Sequence, residues 1–185
     1  SNDACSSLSI IIMSITGDDL PVQVTHIPGI TRVKYTNSIN QDVRLVTAGE
    51  DHLVRLLPSE PTATDVIPLV MEDATQNISW IEANSKYLVT ASEDGAVRLY
   101  QHALQSEDDP QKATSCIRIV RREVLPVRCV SLERATESPR AAICSDKLII
   151  RVANVEDPRQ ITLLTGHTRG VRAASWSPIL PLLVS

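Results

Sequence analysis

The stretch LVTAGEDHLVRLL at residues 45–57 aligns without a gap on LVTASEDGAVRLY at residues 88–100, an offset of 43 residues. A third copy, AICSDKLIIRVA at residues 142–153, keeps the arginine of the first two in register, 53 residues after that of the second copy. A fourth copy begins with LLVS at residues 182–185. Repeats of this length are typical of propellers and solenoids.

Each copy consists of two short runs of β-favouring residues on either side of an acidic turn. In the second copy the turn is Glu93-Asp94-Gly95. An Asp-Gly pair between two β-rich runs is a strong hairpin signal. We therefore expect each copy to form two adjacent antiparallel strands.

Further β-rich runs flank each pair of strands. The upstream runs predict inner strands at residues 31–36, 77–82, 127–132 and 171–176, and the downstream runs predict outer strands at residues 65–71, 116–120 and 160–164. Four strands per repeat at this period are typical of a propeller blade. The predicted fold class is thus all-β: an incomplete β-propeller of about three blades plus the start of a fourth. Insertions at residues 102–114 and 133–139 explain the longer second step.

The propeller is predicted to occupy residues 22–185, with residues 1–21 as a separate N-terminal segment. Two alternatives stay open for that segment: it is disordered, or its apolar run at residues 9–15 supplies an outer strand to a closing blade. Three blades and a fragment cannot close into a ring. We therefore expect the sequence to be part of a longer protein or the product of a truncated gene.

Composition indicates a soluble globular protein, since 43% of residues are hydrophobic and 22% are charged. No apolar run is long enough to span a bilayer and no basic secretory leader is present, so neither membrane insertion nor secretion is expected. The cysteines are widely spaced, without a CxxC pair, which favours buried thiols over a zinc site or disulfides: Cys5, Cys116, Cys129 and Cys144. No metal and no cofactor are expected.

Charge is uneven along the chain. Residues 1–111 contain 6 Lys/Arg and 16 Asp/Glu, whereas residues 112–185 contain 12 and 6. Arginines in a basic half can face the phosphates of DNA, and the candidates are Arg121, Arg122, Arg169 and Arg172. The alternative is that they are solvated side chains on strand surfaces, because no aromatic residues interleave them as a single-strand binder requires.

Gly166-His167, followed by residues 171–176 ending in Trp176, resembles the opening of a WD repeat. The resemblance implies a hydrogen-bonded series of His, Ser or Thr, turn Asp and Trp that is structural and not functional. The matching positions are His26, Thr47 and Asp51 in unit one, Thr90 and Asp94 in unit two, and His167 in the fourth unit. Leu57 and Tyr100 stand where the Trp would be, and unit three, with Ile143, Lys147 and Ala153, is expected to lack the network.

Three further motifs occur in order: HIPGIT at residues 26–31, KYLVTA at 86–91, and RVANV at 151–155 leading to LTGH at 164–167. On these motifs, residues 22–185 resemble the N-terminal propeller of the replisome adaptor family that includes the fungal chromosome transmission fidelity factor (minichromosome loss protein) and the animal WD repeat and HMG-box DNA-binding protein. The resemblance implies a nuclear scaffold that links the replicative helicase to DNA polymerase alpha at chromatin. Its partners would be replisome proteins, with contact to DNA left open.

An enzyme is not expected from this sequence. Its four histidines fall on turns, strand starts or a loop, and no nucleophile motif accompanies them. With six glycines it has no glycine-rich phosphate loop, so neither nucleotide chemistry nor a small-molecule substrate is indicated. The alternative to a replication adaptor is a WD adaptor subunit of another complex, in ubiquitin ligation, RNA processing or trafficking, because one fold serves many partners.

Overall fold

The computed structural model describes residues 8–12, 22–26, 29–37, 43–58, 69–101, 116–134 and 138–185. These residues contain sixteen β-strands and no helix, so none of them forms an apolar helix long enough to cross a membrane. Cys5 and the whole insertion at residues 102–114, which includes His102, lie outside them, as do the side chain of His26 and residues 65–68 of a predicted outer strand. The predicted all-β fold class, an incomplete β-propeller, is confirmed.

Three four-stranded antiparallel sheets, here called blades 1 to 3, follow one another along the chain. Blade 1 contains β3 (Ile30–Asn37), β4 (Val43–Gly49), β5 (Val54–Pro58) and β6 (Leu69–Met71). Blade 2 contains β7 (Ile78–Ala83), β8 (Leu88–Ser92), β9 (Ala96–Tyr100) and β10 (Arg118–Arg122). Blade 3 contains β11 (Val127–Leu132), β12 (Arg140–Ser145), β13 (Ile150–Asn154) and β14 (Ile161–Leu164). Each strand pairs with its neighbour in sequence, as four-stranded blades require.

The fourth sheet has two short strands, β15 (Ser175–Trp176) and β16 (Leu183–Val184). The inner strand predicted at residues 171–176 was wrong in extent, because only its last two residues are in a strand. The ladder between β15 and β16 is two residues long, so residues 171–174 have no paired strand beside them. Val171 and Ala174 are nevertheless buried against blade 3.

Ahead of blade 1, β1 (Leu8–Ile12) and β2 (Val22–His26) form a two-stranded antiparallel sheet of their own. β1 lies within the N-terminal segment of residues 1–21, and most of that segment lies outside the described residues. The division at residue 21 and a role for this segment in closing a blade stay predictions.

The core lies between neighbouring blades and not within any one of them. Val46, Leu56 and Met71 of blade 1 pack against Ile78 and Leu88 of blade 2 in one buried cluster, and two similar clusters follow between the later blades. Stacked sheets approach to about 10 Å, so side chains on both faces of a middle strand are enclosed. This explains why all five residues of β8 are buried, with no alternation of polar and apolar positions.

The predicted burial of the thiols holds for Cys129 and Cys144, which are fully buried and directly opposite each other on β11 and β12. Both are free thiols. Cys116 is only partly buried. Cys129 and Cys144 are enclosed because they pack against the residues that follow blade 3. The Cys129 Sγ also donates a hydrogen bond to the carbonyl oxygen of Ala174 (3.7 Å).

Every complete blade has a β-bulge at the same place in its inner strand. The register shifts between Ile30 and Arg32 in β3, and at the corresponding positions of β7 and β11, which leaves Thr31, Ser79 and Arg128 as the extra residues. The Thr31 Oγ1 lies 3.1 Å from the carbonyl oxygen of Ala48 in its own blade and 2.6 Å from that of Ile78 in the next. The Ser79 Oγ makes the same two contacts one blade further on. These hydroxyls therefore join each blade to its neighbour.

The turn between β8 and β9 requires a glycine. Gly95 has a φ of 82°, in the left-handed region, and a Cβ there would overlap the carbonyl oxygen of Glu123. His52 adopts the same conformation (φ 66°) at the corresponding turn position of blade 1. The turn geometry is therefore shared, but only blade 2 has the residue best suited to it.

Substitutions at these two positions should change stability in opposite directions. Gly95→Ala should lower the free energy of unfolding by more than about 2 kcal/mol, because both the backbone conformation and the contact with Glu123 become unfavourable. His52→Gly should raise it by up to about 1 kcal/mol, because strain in a non-glycine residue is relieved. Urea unfolding of both variants measures this. A loss of stability in His52→Gly as large as that in Gly95→Ala would contradict the turn assignment.

Candidate functional site

One end of the blades carries the turns between their two middle strands, at residues 50–53, 93–95 and 146–149. We call this end the hairpin face. Each turn begins with an acidic residue, Glu50, Glu93 or Asp146. The next position is Asp51, Asp94 or Lys147, and an arginine follows four residues later in each blade: Arg55, Arg98 and Arg151. The hairpin face is therefore built on a repeated pattern of charged residues.

In blade 2, the second turn residue forms a buried ion pair. The Arg98 Nη2 lies 2.6 Å from the Asp94 Oδ2, and the two side chains are only 4% and 6% exposed. The amide of Ala96 (2.8 Å), the Ser92 hydroxyl and the Thr75 hydroxyl (3.1 Å) also donate to this carboxylate. Burial alone would raise the pKa of Asp94, but the donors together, Arg98 foremost, hold it well below its ordinary value. Asp94 is thus a fixed anion that closes the turn.

Blade 1 repeats the arrangement in a less enclosed setting. The Arg55 Nη1 lies 2.7 Å from the Asp51 Oδ2, with the side chains 17% and 13% exposed. The backbone amide of Leu53 donates to the Asp51 Oδ1 (3.2 Å), which caps the turn as the Ala96 amide does in blade 2. The pattern of turn aspartate and arginine is therefore common to both blades.

Blade 3 has Lys147 where the turn aspartate would be, and a residue from outside the repeat takes over its role. Glu123, in the connection between β10 and β11, has a side chain only 1% exposed. Its carboxylate lies 3.0 Å from the Arg151 Nη1, 3.1 Å from the Lys147 Nζ and 3.1 Å from the Arg121 Nε. Its backbone amide donates to the carbonyl oxygen of Gly95 (2.7 Å), so the carboxylate is anchored on the turn of blade 2.

Unit three was expected to lack the WD series. The structure has a different charged cluster there, around Glu123, which sequence reasoning missed. The available signal was Lys147 at the aspartate position together with the retained Arg151, since a buried guanidinium needs a carboxylate from elsewhere. Glu123 could not be identified from the repeat because it lies between two copies of it.

The residues predicted for the WD series are only partly brought together. Thr90 is fully buried, but its Oγ1 has no hydrogen-bond partner among the described residues. Ser92, two positions nearer the turn on the same strand, bonds Asp94 instead. Thr47 is fully buried, while His167 is exposed, with its Nε2 2.7 Å from the Ser185 Oγ. The side chain of His26 lies outside the described residues.

The four candidate phosphate-facing arginines occupy different surroundings. Arg121 contacts the buried Glu123. Arg172 is 74% exposed, with its Nη2 3.6 Å from the Asp146 Oδ1, whereas Arg122 and Arg169 are exposed. Arg121 and Arg172 thus each contact a carboxylate of the protein, and contact of the four arginines with phosphate stays a prediction.

A groove of about 440 Å³ opens on the hairpin face where the inner strands begin. Its lining combines the bulge residues with the first acids of two turns: Thr31, Ser79, Arg128, Glu50 and Glu93, together with Arg172, which follows Val171 as Arg128 follows Val127. Residues of blades 1 to 3, together with Arg172 in the segment that leads into β15, thus border one groove. Sequence reasoning missed it because its residues lie far apart in the chain.

A chain of ion pairs holds one side of the groove. The Arg128 Nη1 lies 3.3 Å from the Glu93 Oε1, and its Nη2 lies 2.9 Å from the Asp146 Oδ2, which joins blades 2 and 3. The hydrogen bond from Arg128 lowers the pKa of Asp146. Arg32 also lines the groove, and its guanidinium lies 4.3 Å from the centre of the Trp80 ring. Among the described residues, no cluster of His, Cys, Asp and Glu could hold a metal ion.

Comparisons with known proteins agree with this architecture. Residues 73–101, which include the inner three strands of blade 2, match the family "WD domain, G-beta repeat". The chain is also similar to "Peroxisome biogenesis protein 7" of Arabidopsis thaliana, with 29% identity over 70 residues, which is 38% of this chain and 22% of that protein. The protein therefore contains a WD repeat within an incomplete β-propeller, and WD domains generally act as protein-interaction scaffolds.

Removing the buried anion of blade 2 should cost more than removing that of blade 1. Asp94→Asn should lower the free energy of unfolding by about 3 kcal/mol, because Arg98 is left buried without a counterion. Asp51→Asn, the matched variant, should cost roughly 1 kcal/mol, because Arg55 is nearer to solvent. Because its pKa is lower in the folded than in the unfolded state, the Asp94 carboxylate stabilises the protein above the unfolded pKa. This stabilisation is lost as pH falls towards the folded pKa. The deficit of Asp94→Asn should therefore shrink below about pH 5. Equal costs in the two variants at pH 7 would refute this ranking.

Blade 3 offers a test of the substitute carboxylate. Lys147→Asp should destabilise the protein by about 2 kcal/mol, because a second anion is brought against the buried Glu123. In the double variant with Glu123→Gln, the new carboxylate can pair with Arg151 as in blades 1 and 2, so at least half of that loss should be regained. The comparison uses thermal and urea unfolding of the two single variants and the double variant. Additive losses would show that Glu123 does not replace the turn aspartate.

Proposed function

We propose that this protein is a non-catalytic adaptor module that binds a segment of a partner protein in the groove of the hairpin face. The observation that carries the proposal is the groove itself, which extends across residues of all four repeats and presents charged and hydroxyl groups to solvent. Turns and connections positioned by a rigid scaffold are the usual place for binding residues.

Two features support a binding role for this end of the blades. The ion pairs of Arg128 with Glu93 and Asp146 fix the groove wall, so little side-chain entropy remains to be lost when a partner binds. Arg172 and Glu50 are exposed and leave both signs of charge accessible at the rim. Charges of both signs favour a specific orientation of the partner over general adhesion.

The process served by the adaptor is proposed from the comparisons. Similarity to a peroxisome biogenesis protein supports the second of the two classes considered from the sequence, an adaptor of an assembly outside DNA replication, with organelle biogenesis or trafficking foremost.

The replication adaptor is retained as a second proposal. It is supported by the motifs at residues 26–31, 86–91 and 151–167 and by the exposed Arg122 and Arg169, which are available to phosphate. In that proposal the protein is nuclear, its partners are the replicative helicase and DNA polymerase alpha, and DNA is a further ligand.

Site-specific photocrosslinking in cells tests the binding face. A photoreactive amino acid replaces Arg169, which is exposed and three residues before Arg172 of the groove lining, or the exposed Arg159, in the connection between β13 and β14 at the opposite end of blade 3. We expect discrete protein adducts from position 169 that excess unlabelled protein competes away, and few from position 159. Mass spectrometry then assigns the adducts to a trafficking assembly or to the replisome. Equal labelling from both positions, or none that is competed, would refute a binding role for the hairpin face.

A further inference from the structure

We infer that the groove accepts an arginine side chain of the partner segment at Glu50, in the place where later blades supply their own arginine. This inference rests on the proposed function and adds the chemistry of the partner. The propeller repeats internally, and an ion pair that forms within the described chain at two blade junctions is missing at the third.

The junctions after blades 2 and 3 share a charge pattern. The first turn residue of one blade is an acid, and the bulge position of the following blade is an arginine. Glu93 of blade 2 lies 3.3 Å from Arg128 of blade 3. Asp146 of blade 3 lies 3.6 Å from Arg172, the corresponding residue ahead of β15. At these two junctions a guanidinium from the next repeat lies beside the turn acid, and Asp146 also pairs with Arg128 of its own blade (2.9 Å).

The junction between blades 1 and 2 has the acid but not the arginine. Glu50 occupies the turn position, and Ser79 stands where Arg128 and Arg172 stand in the later repeats. The Ser79 Oγ is already engaged by the carbonyl oxygens of Ala91 (3.1 Å) and Val127 (2.5 Å). Among the described residues no cation lies within ion-pair distance of the Glu50 carboxylate, although Glu50 and Ser79 both line the groove. A short side chain has thus left room where a guanidinium stands elsewhere.

The neighbouring arginine of blade 1 does not fill that place. The Arg32 guanidinium stacks on Trp80 (4.3 Å) and its Nη1 donates to the carbonyl oxygen of Thr31 (2.8 Å). The Glu50 side chain is exposed and lines the groove, so its carboxylate is accessible to a partner. We therefore assign the place beside Glu50 to an arginine of the partner segment.

The chemistry favours arginine in an extended segment. A planar guanidinium can donate two parallel hydrogen bonds to a carboxylate, which a lysine ammonium cannot do. The groove also presents Asn77 and Glu93 for the backbone and flanking groups of such a segment. Since exposed ion pairs contribute little, this contact would select the partner and its register more than it would set the total affinity.

The test is an NMR titration of the full chain with two capped pentapeptides, Gly-Gly-Arg-Gly-Gly and the same peptide with citrulline, which keeps the shape of arginine without its charge. We expect the arginine peptide to bind about fivefold more tightly than the citrulline peptide and to shift the amide signals of Glu50 and Ser79. Glu50→Gln should abolish the difference. Glu72→Gln, a matched charge change at an exposed residue outside the groove lining, should preserve it.

A second variant tests the same idea from the other side. Ser79→Arg supplies the missing guanidinium from within the chain and should prevent preferential binding of the arginine peptide while Glu50 is retained. Equal affinities for the two peptides in the unmodified protein, or a preference that survives Glu50→Gln, would overturn the inference. The proposed function is judged separately: if adducts at position 169 persist in Glu50→Gln while the peptides show no preference, the face binds protein but not through arginine at Glu50. If the arginine preference is found but no competed adducts form, the proposed function fails instead.

Discussion

A guanidinium that is enclosed between blades must have a carboxylate beside it, and the hairpin face is organised by this requirement. Arg98 is 4% exposed and is held by Asp94. Arg151 occupies the same position in blade 3, where the repeat supplies a lysine, and Glu123 enters from a connecting segment to hold both. Breaking such a pair leaves an uncompensated buried charge, which costs far more than the pair itself contributes. An arginine thus occupies the same strand position in each complete blade. Its carboxylate partner comes from the turn in blades 1 and 2 and from a connecting segment in blade 3.

The β-bulge of each inner strand turns one residue towards the junction with the next blade. In blades 1 and 2 that residue is Thr31 or Ser79, and its hydroxyl contacts carbonyl oxygens of two blades. In blade 3 it is Arg128, which reaches a carboxylate in blade 2 and another in its own blade. The same backbone feature therefore serves either as a hydrogen-bonded link or as part of a charged groove wall. The blade junctions therefore differ in charge, and a partner protein can recognise one junction by this difference.

The match to the WD domain family covers the first three strands of blade 2, whose turn differs from those of blades 1 and 3. Blade 2 combines Gly95, which tolerates the left-handed backbone, with Asp94 as the closing anion. Blade 1 has His52 at the glycine position, and blade 3 has Lys147 at the aspartate position. The structure shows that all three form four-stranded sheets in the same order. A blade thus forms without the full turn motif, because buried apolar strands tolerate many sequences of similar volume.

The sequence by itself determined the all-β class, the number of complete blades and the strand positions within a few residues, because period and turn chemistry are local properties. It also located the turn aspartates Asp51 and Asp94. Only the tertiary structure decided that Ser92 and not Thr90 bonds Asp94, that Glu123 substitutes in blade 3, and that β15 is two residues long. It also decided that Glu50, Ser79, Arg128 and Arg172 border one groove. Those facts depend on contacts between residues distant in the chain, which no local pattern encodes.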